Sequence, residues 1–425
     1  MLDRRRFIAG GAAALAAVAQ PEIARAVQQA LRAPEPDGGS PDGGSPDGGP
    51  AWTPDRSLLR TLPRWLELSA VPGVALAVVE GGRTWQRGFG RASVERRVGV
   101  ADDTVFEGAS LGKPVFAHAV LRLADAGVLD LDRPLYDYLP VEEAADRRMR
   151  RVTARHVLGH TTGLPNWRRE PGPLVPASDP GSTFSYSGEG FFFLQRVVER
   201  VTDTPIARLM HERVFAPLGM RDTSYVWRAD FEARMATGYD EKGEGLDTYA
   251  AIGRRAEEIA RSWKKPLAEW RYDDAVRAAP LIQPAWPVLP VFLTPNVAAS
   301  LLTTARDYAR FLAQLVAPAD GVAGAATGGP LALAPATRRA LLTPQVRLNS
   351  ALAWGLGWGL EEDEQGRALW QWGANLSFRA FALAEPDHGR AVVVLTNSLN
   401  GPKLYQRVVT AVTGHDHAAF LWPFL

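Results

Sequence analysis

Gly73-Val74-Ala75-Leu76-Ala77-Val78-Val79, closed by Gly81-Gly82, is an apolar run between turn signals, and Arg83 to Gly90 follows it at hairpin distance. The pattern predicts a buried antiparallel pair of strands. Strand-like sequence returns near the other end of the chain. There Trp354, Leu356, Trp358 and Leu360 alternate with Gly355, Gly357 and Gly359. Phe378 to Leu383 and Arg390 to Thr396 follow, divided by a turn at Pro386-Asp387-His388-Gly389. The middle reads as helix. Val115, Phe116, Ala119, Val120 and Leu123 have helical spacing up to Gly127, and Phe191, Leu194, Val197, Val198 and Val201 repeat it. Thr204-Pro205, and Thr304 with Asp307 three residues later, mark two more helix starts. The expected fold is therefore α/β (α+β): an antiparallel sheet built from N- and C-terminal strands, flanked by helices, with an all-helical region inserted. Residues 240–295, first polar and charged and then Pro-rich, read as an insertion beside the site.

The 425 residues carry 48 Lys+Arg against 47 Asp+Glu, a net charge of +1 without the basic excess of a nucleic-acid binder. The absence of Cys excludes disulfides, thiolate metal sites, Cys nucleophiles and lipid attached through Cys. Only five of the basic residues are Lys. Arg4-Arg5-Arg6 precedes Phe7-Ile8 and a Gly/Ala-rich stretch to Ala19. That is a charged start, a weakly apolar middle and small-residue cleavage options, of the twin-arginine export kind. The apolar stretch is shorter than the roughly 20 residues of a membrane span, so no stable membrane insertion is expected. Pro36 to Pro50 repeats Pro-Asp-Gly-Gly three times and offers nothing apolar to bury. The expected plan is a twin-arginine signal peptide over residues 1–26, a disordered linker over 27–51 and one folded domain over 52–425.

The chemistry centres on Gly108-Ala109-Ser110-Leu111-Gly112-Lys113. As Ser-x-x-Lys, it puts Ser110 at the start of a buried helix with Lys113 one turn later on the same face. An ammonium beside a hydroxyl lowers its pKa, or accepts its proton once burial has neutralised the amine. The helix N-terminus also offers N–H groups to an oxyanion. As Gly-x-Ser-x-Gly, the same serine is a nucleophile elbow. That reading wants a strong preceding strand, which Asp103 to Glu107 is not, and a late histidine, which His388, His415 or His417 would supply. Sixteen Ser and five Lys give about 0.2 chance matches to Ser-x-x-Lys. A second match, Ser262 to Lys265, lies in a charged stretch before Pro266 and reads as a solvated helix end. Ser110 differs, because an apolar helix follows it directly and its partner is a lysine in a chain that prefers arginine.

Tyr186, in Phe184-Ser185-Tyr186-Ser187-Gly188, is a candidate acid/base if a nearby cation lowers its phenol pKa. Trp370-Gln371-Trp372-Gly373-Ala374-Asn375 lies between two predicted strands, with a backbone open at Gly373 and Ala374. A substrate can lie along it as an added strand.

The order Ser110-x-x-Lys113, His160-Thr161-Thr162-Gly163-Leu164-Pro165, Tyr186-Ser187-Gly188 and Trp372-Gly373-Ala374 resembles the serine β-lactamase and penicillin-binding-protein superfamily. Within it, the chain most resembles the class C β-lactamase-related proteins and the family VIII carboxylesterases. The resemblance runs from about Leu58 to the C-terminus. It implies a β-lactamase/transpeptidase-like fold with the site between sheet and helices, and no metal or cofactor. Ser110 would be the acyl-forming nucleophile, Lys113 and Tyr186 the proton-handling pair, and the backbone N–H groups of Ser110 and Asn375 the oxyanion hole. Trp372, Gly373, Ala374, Gly188 and Arg379 would line the substrate site. Two departures matter. Gly188 stands where many relatives have Asn, and Trp372 stands where β-lactamases have Lys; Arg379 could replace that charge. The expected protein is an exported serine hydrolase, periplasmic or extracellular in a bacterium. Its partner is a small ester or amide, first of all a carboxylesterase substrate. The alternatives are a β-lactamase or D-amino-acid peptidase, and an inactive binder of cell-wall peptides.

Overall fold

The computed structural model describes residues 53–141, 144, 146–168, 172–246, 248–282, 294–317 and 331–422. The signal peptide and linker expected from the sequence lie outside them. Helix α1 (Arg56–Ser69) leads into β1 (Gly73–Glu80), β2 (Arg83–Ser93), β3 (Val98–Gly99) and the short β4 (Phe106–Ala109). A mainly helical stretch follows: α2 (Gly112–Asp125), α3 (Ala154–Leu158), α4 (Gly188–Thr202) and α5 (Ile206–Met210). After it come β5 (Gly238–Tyr239), β6 (Gly245–Leu246), α6 (Thr248–Ser262), α7 (Tyr272–Ile282), β7 (Leu301–Thr303), α8 (Ala305–Val316) and α9 (Pro335–Leu341). The chain then returns to the sheet with β8 (Val346–Arg347), β9 (Leu352–Trp354), β10 (Gly359–Asp363), β11 (Gly366–Ala374), β12 (Arg379–Glu385) and β13 (Arg390–Thr396), and α10 (Pro402–Thr413) packs back onto it.

Among the described residues the main sheet has nine strands in the order β3-β2-β1-β13-β12-β11-β10-β9-β8. All its pairings are antiparallel. The two ends of the chain meet at its centre, where Val74 faces Thr396 and Glu80 faces Arg390. β1 has no polar alternation because both of its faces are buried. Val74, Leu76 and Val78 join a cluster with Leu58 and Leu62 of α1 and Val408 of α10. Ala75, Ala77 and Val79 join the larger cluster that holds Phe311 and Leu312 of α8 and the helical region. A strand covered on both sides reads as a continuous apolar run.

The alternating tryptophans and glycines of 354–360 do not form one strand. The chain turns between β9 and β10, and the Gly355 N–H donates to the Trp358 carbonyl at 2.8 Å. The turn separates the large side chains, with Trp354 in the cluster under α1 and α10 and Leu356 and Trp358 in the other. Residues 240–282 supply β6, α6 and α7. α6 reaches the strand turn behind the site, where Tyr249 packs edge-on against Phe378 at 5.1 Å.

Candidate active site

β4 pairs with β7 through a register shift between Glu107 and Ala109. Ala109 then adopts φ 49°, a left-handed conformation uncommon for a residue with a Cβ. This kink carries Ser110 off the strand end towards α2. The N-cap of α2 is Leu111, and the Ser110 hydroxyl bonds the Ala298 carbonyl at 3.4 Å and the Lys113 amine, so it is not spent on capping the helix. Ser110 is partly exposed, within reach of a substrate.

Lys113 is 1% exposed. Its Nζ donates to Ser110 Oγ at 2.9 Å and to the Ala298 carbonyl at 2.7 Å. The remaining surroundings are ring faces, with Tyr186 and Phe191 centred 4.8 and 5.9 Å away. Burial of the amine pushes it down from 10.5 to about 7. The Ala298 carbonyl is itself placed by side chains. Gln195 of α4 accepts from the Val297 N–H at 3.0 Å and donates to the Pro295 carbonyl at 3.0 Å, while Asn296 Oδ1 accepts from the Ala298 N–H at 2.9 Å.

The Tyr186 hydroxyl lies beside Ser110 and accepts from Gln371 Nε2 at 3.2 Å. A phenol lowered by a neighbouring cation is not what this arrangement produces. The hydroxyl is enclosed although the ring is partly exposed, and burial pushes it above its ordinary value. The ammonium stands over the ring face, 4.8 Å from its centre, and does not offset that burial. His160 stacks on the same phenol with centroids 4.2 Å apart. Its Nδ1 accepts from the Ser187 N–H at 3.0 Å, so the ring proton sits on Nε2. Burial and then the Lys113 charge hold it well below the usual histidine range, and it is neutral. The His160 carbonyl also takes the Ser185 N–H at 2.7 Å. One buried histidine thus fixes both sides of Tyr186.

β11 forms the opposite wall. Gly373 is obligatory there, since a Cβ would fall 2.2 Å from the Gly108 carbonyl oxygen. Trp372 is partly buried, 4.8 Å from the Tyr186 ring and 5.2 Å from that of Trp422. Asn375, just past Ala374, donates from Nδ2 to Glu107 Oε1, and to the Ala299 carbonyl at 2.9 Å. Arg379 is turned onto the backbone. Its Nη1 donates to the Asn375 carbonyl at 2.5 Å and the Phe378 carbonyl at 2.8 Å. Gly188 opens α4, and a Cβ there would lie 2.3 Å from Trp167 Cζ2, so the indole fills the space a side chain would take.

The other serine readings do not assemble. His388 bonds the Gln365 carbonyl, His415 faces Glu385 at 3.3 Å, and His417 faces Glu361 at 3.6 Å. Glu385 closes β12 six residues beyond Arg379, about 20 Å along the strand, so these histidines gather at the far end of the sheet from Ser110. Ser262 is exposed and donates to the Ile259 carbonyl, and Lys265 pairs with Asp274 at 2.5 Å.

The Beta-lactamase family model matches residues 65–413. The chain belongs to the Beta-lactamase family. Over 190 residues it is 34% identical to the esterase EstB of Burkholderia gladioli, covering 38% of this chain and 48% of EstB. Over 345 residues it is 27% identical to penicillin-binding protein 4 of Amycolatopsis lactamdurans, covering 77% of this chain and 81% of that protein. The match to the esterase therefore spans about half its length. The D-alanine carboxypeptidase AmpC of Burkholderia cenocepacia superposes with a TM-score of 0.64 at 18% identity, over 84% of this chain and 97% of that one. That likeness shows the shared fold. Within this Beta-lactamase fold, Ser110, Lys113 and Tyr186 meet directly, while Trp372 and Gly373 form the facing strand. The sequence reading missed Gln371, the Ala298 carbonyl, His160 and Glu107. Gln371 and His160 stand inside the motifs it quoted, but only their tertiary partners mark them.

Proposed function

We propose that this chain is an exported serine hydrolase working by acyl transfer on small neutral esters. The observation that carries the acyl-transfer reading is the 2.9 Å bond between Ser110 Oγ and a buried amine held at about 7. Near neutral pH a large fraction of Lys113 is uncharged and can take the Ser110 proton as Oγ attacks the ester carbonyl. Tyr186, kept as a phenol, passes a proton to the departing alkoxide and is replenished from Lys113. Water then attacks the acyl-enzyme, gives up its proton along the same path and releases Ser110. The N–H groups of Ser110 and Asn375 are the donors proposed for the oxyanion.

The preference for esters rests on charge. A carboxylate taken out of water unpaired costs several kcal/mol. Trp372 offers an apolar face, and the nearby Arg379 is committed to two backbone carbonyls. A short ester asks for no counter-charge and packs on the indole. Residues 1–26 support export, since the arginine run and weak apolar stretch suit carriage of an already folded protein. The test is turnover of p-nitrophenyl butyrate, with the quenched enzyme digested and mapped by mass spectrometry. A butyryl group on the peptide holding Ser110, and no turnover in Ser110→Ala, is the expected result. An adduct on Ser262, or full turnover in Ser110→Ala, would overturn the assignment.

A further inference from the structure

Glu107 is a buried carboxyl outside the Ser110–Lys113–Tyr186 group, directly behind it on β4. Its Oε1 accepts from Asn375 Nδ2, and the Tyr249 side chain of α6 lies beside the same carboxyl. The same Asn375 amide group also holds the Ala299 carbonyl, one residue from the carbonyl that Lys113 grips. On the other side of the Asn375 peptide, Arg379 takes both its carbonyl and that of Phe378. This second contact matters. The Asn375 N–H also points at the Phe378 carbonyl, but at 3.4 Å. With the guanidinium at 2.8 Å on that oxygen, the N–H is left with a stretched bond that a developing oxyanion can replace.

We propose that Glu107 and Arg379 are positioning residues that hold the Asn375 peptide as an oxyanion donor beside Ser110. The proposal rests on the acyl-transfer reading given above. Glu107 grips the side chain, Arg379 grips the carbonyl, and the N–H between them keeps its aim. Burial pushes Glu107 up to about 8 against the weaker opposing pull of Tyr249, Asn375 and Arg379, so near neutral pH most of it is the neutral acid. Glutamine mimics that acid, because its Oε1 accepts from Asn375 Nδ2 in the same way.

The experiment measures kcat and KM for p-nitrophenyl butyrate in Glu107→Leu, Glu107→Gln, Asn375→Ala and the Glu107→Leu/Asn375→Ala double variant, with Tm alongside. Glu107→Leu and Asn375→Ala should each lower kcat about 10–100-fold, somewhat less than the loss of an oxyanion donor itself, and leave KM within about twofold. The double variant should be no worse than either single one, as expected for residues acting through one another. Glu107→Gln should keep kcat within about threefold of the parent at pH 7. Where Glu107→Leu does not fold, Asn375→Ala and Glu107→Gln decide. An unchanged kcat in Asn375→Ala, or a raised KM with kcat intact, overturns the proposal. Ser110→Ala separates the two claims. If it is inactive while Asn375→Ala and Glu107→Leu keep the parent kcat, positioning fails and the nucleophile stands; if it turns over, the acyl-transfer reading itself fails.

Discussion

The charge state of Lys113 fixes a pH dependence that can be worked out from its surroundings. Burial lowers the amine from 10.5 to about 7, and no ion pair restores it. At pH 7 an ordinary lysine is neutral in about one molecule in 3,000, whereas Lys113 is neutral in about half. Attack by Ser110 draws on the neutral form. So kcat/KM for p-nitrophenyl butyrate should rise about tenfold per pH unit below 7 and level off above it. Lys113→Arg keeps a positive charge at every accessible pH, and should lose at least about 100-fold, within the range for removal of a general base. Initial rates from pH 5 to 9 at constant ionic strength, corrected for spontaneous hydrolysis, give the profile. A rate that keeps climbing towards pH 10, or an active Lys113→Arg enzyme, would refute the assignment of Lys113 as the proton acceptor.

The same shift bears on stability. The folded value lies below the unfolded one, so the unfolded chain binds the extra proton between about 7 and 10.5. The cost of burying the amine is thus fully present below pH 7 and fades as the pH rises towards 10.5. Lys113→Met should be inactive yet melt about 2–4 °C higher at pH 6, with the advantage shrinking in alkaline buffer; an unchanged or lower Tm at pH 6 would contradict this. Lys113→Ala/Tyr186→Phe should lose scarcely more kcat than the worse single variant, because the two hand on one proton; strictly multiplicative losses would show independent roles. Replacing Arg4 and Arg5 by Lys should strand the precursor in the cytoplasm, which fractionation and immunoblotting would detect; normal export would exclude the twin-arginine route.

The fold was legible because burial on both faces of β1 and β13 leaves apolar runs too clear to mistake, and because Gly81-Gly82 and Gly389 punctuate them. The 354–360 segment misled because alternation of tryptophan with glycine fits a strand as well as two strand ends and a tight turn. Only the two separate clusters that receive Trp354 and Trp358 decide between them. At the site, Ser110 and Lys113 were legible since they lie one helical turn apart, within reach of a local pattern. The Ala298 carbonyl was not, because it is a backbone atom 185 residues from Lys113, brought there by Gln195 and Asn296. Whether a cation lowers the Tyr186 phenol is not legible in the sequence. The answer depends on which part of the ring the ammonium faces, and that is a matter of packing. Glu107 reads as one acid in a weak strand until Asn375 is folded onto it 268 residues later.

The central claim is acyl transfer from neutral esters at a serine served by a buried lysine and faced by an indole instead of a cation. The most direct measurement is kcat/KM for p-nitrophenyl butyrate against that for a chromogenic cephalosporin, on the unmutated protein under one set of conditions. The account predicts a clear preference for the ester, because the cephalosporin brings a carboxylate to Trp372 and to an Arg379 already occupied by backbone carbonyls. A clear preference for the cephalosporin would contradict it, and would mean that a cation does reach the substrate carboxylate in this site.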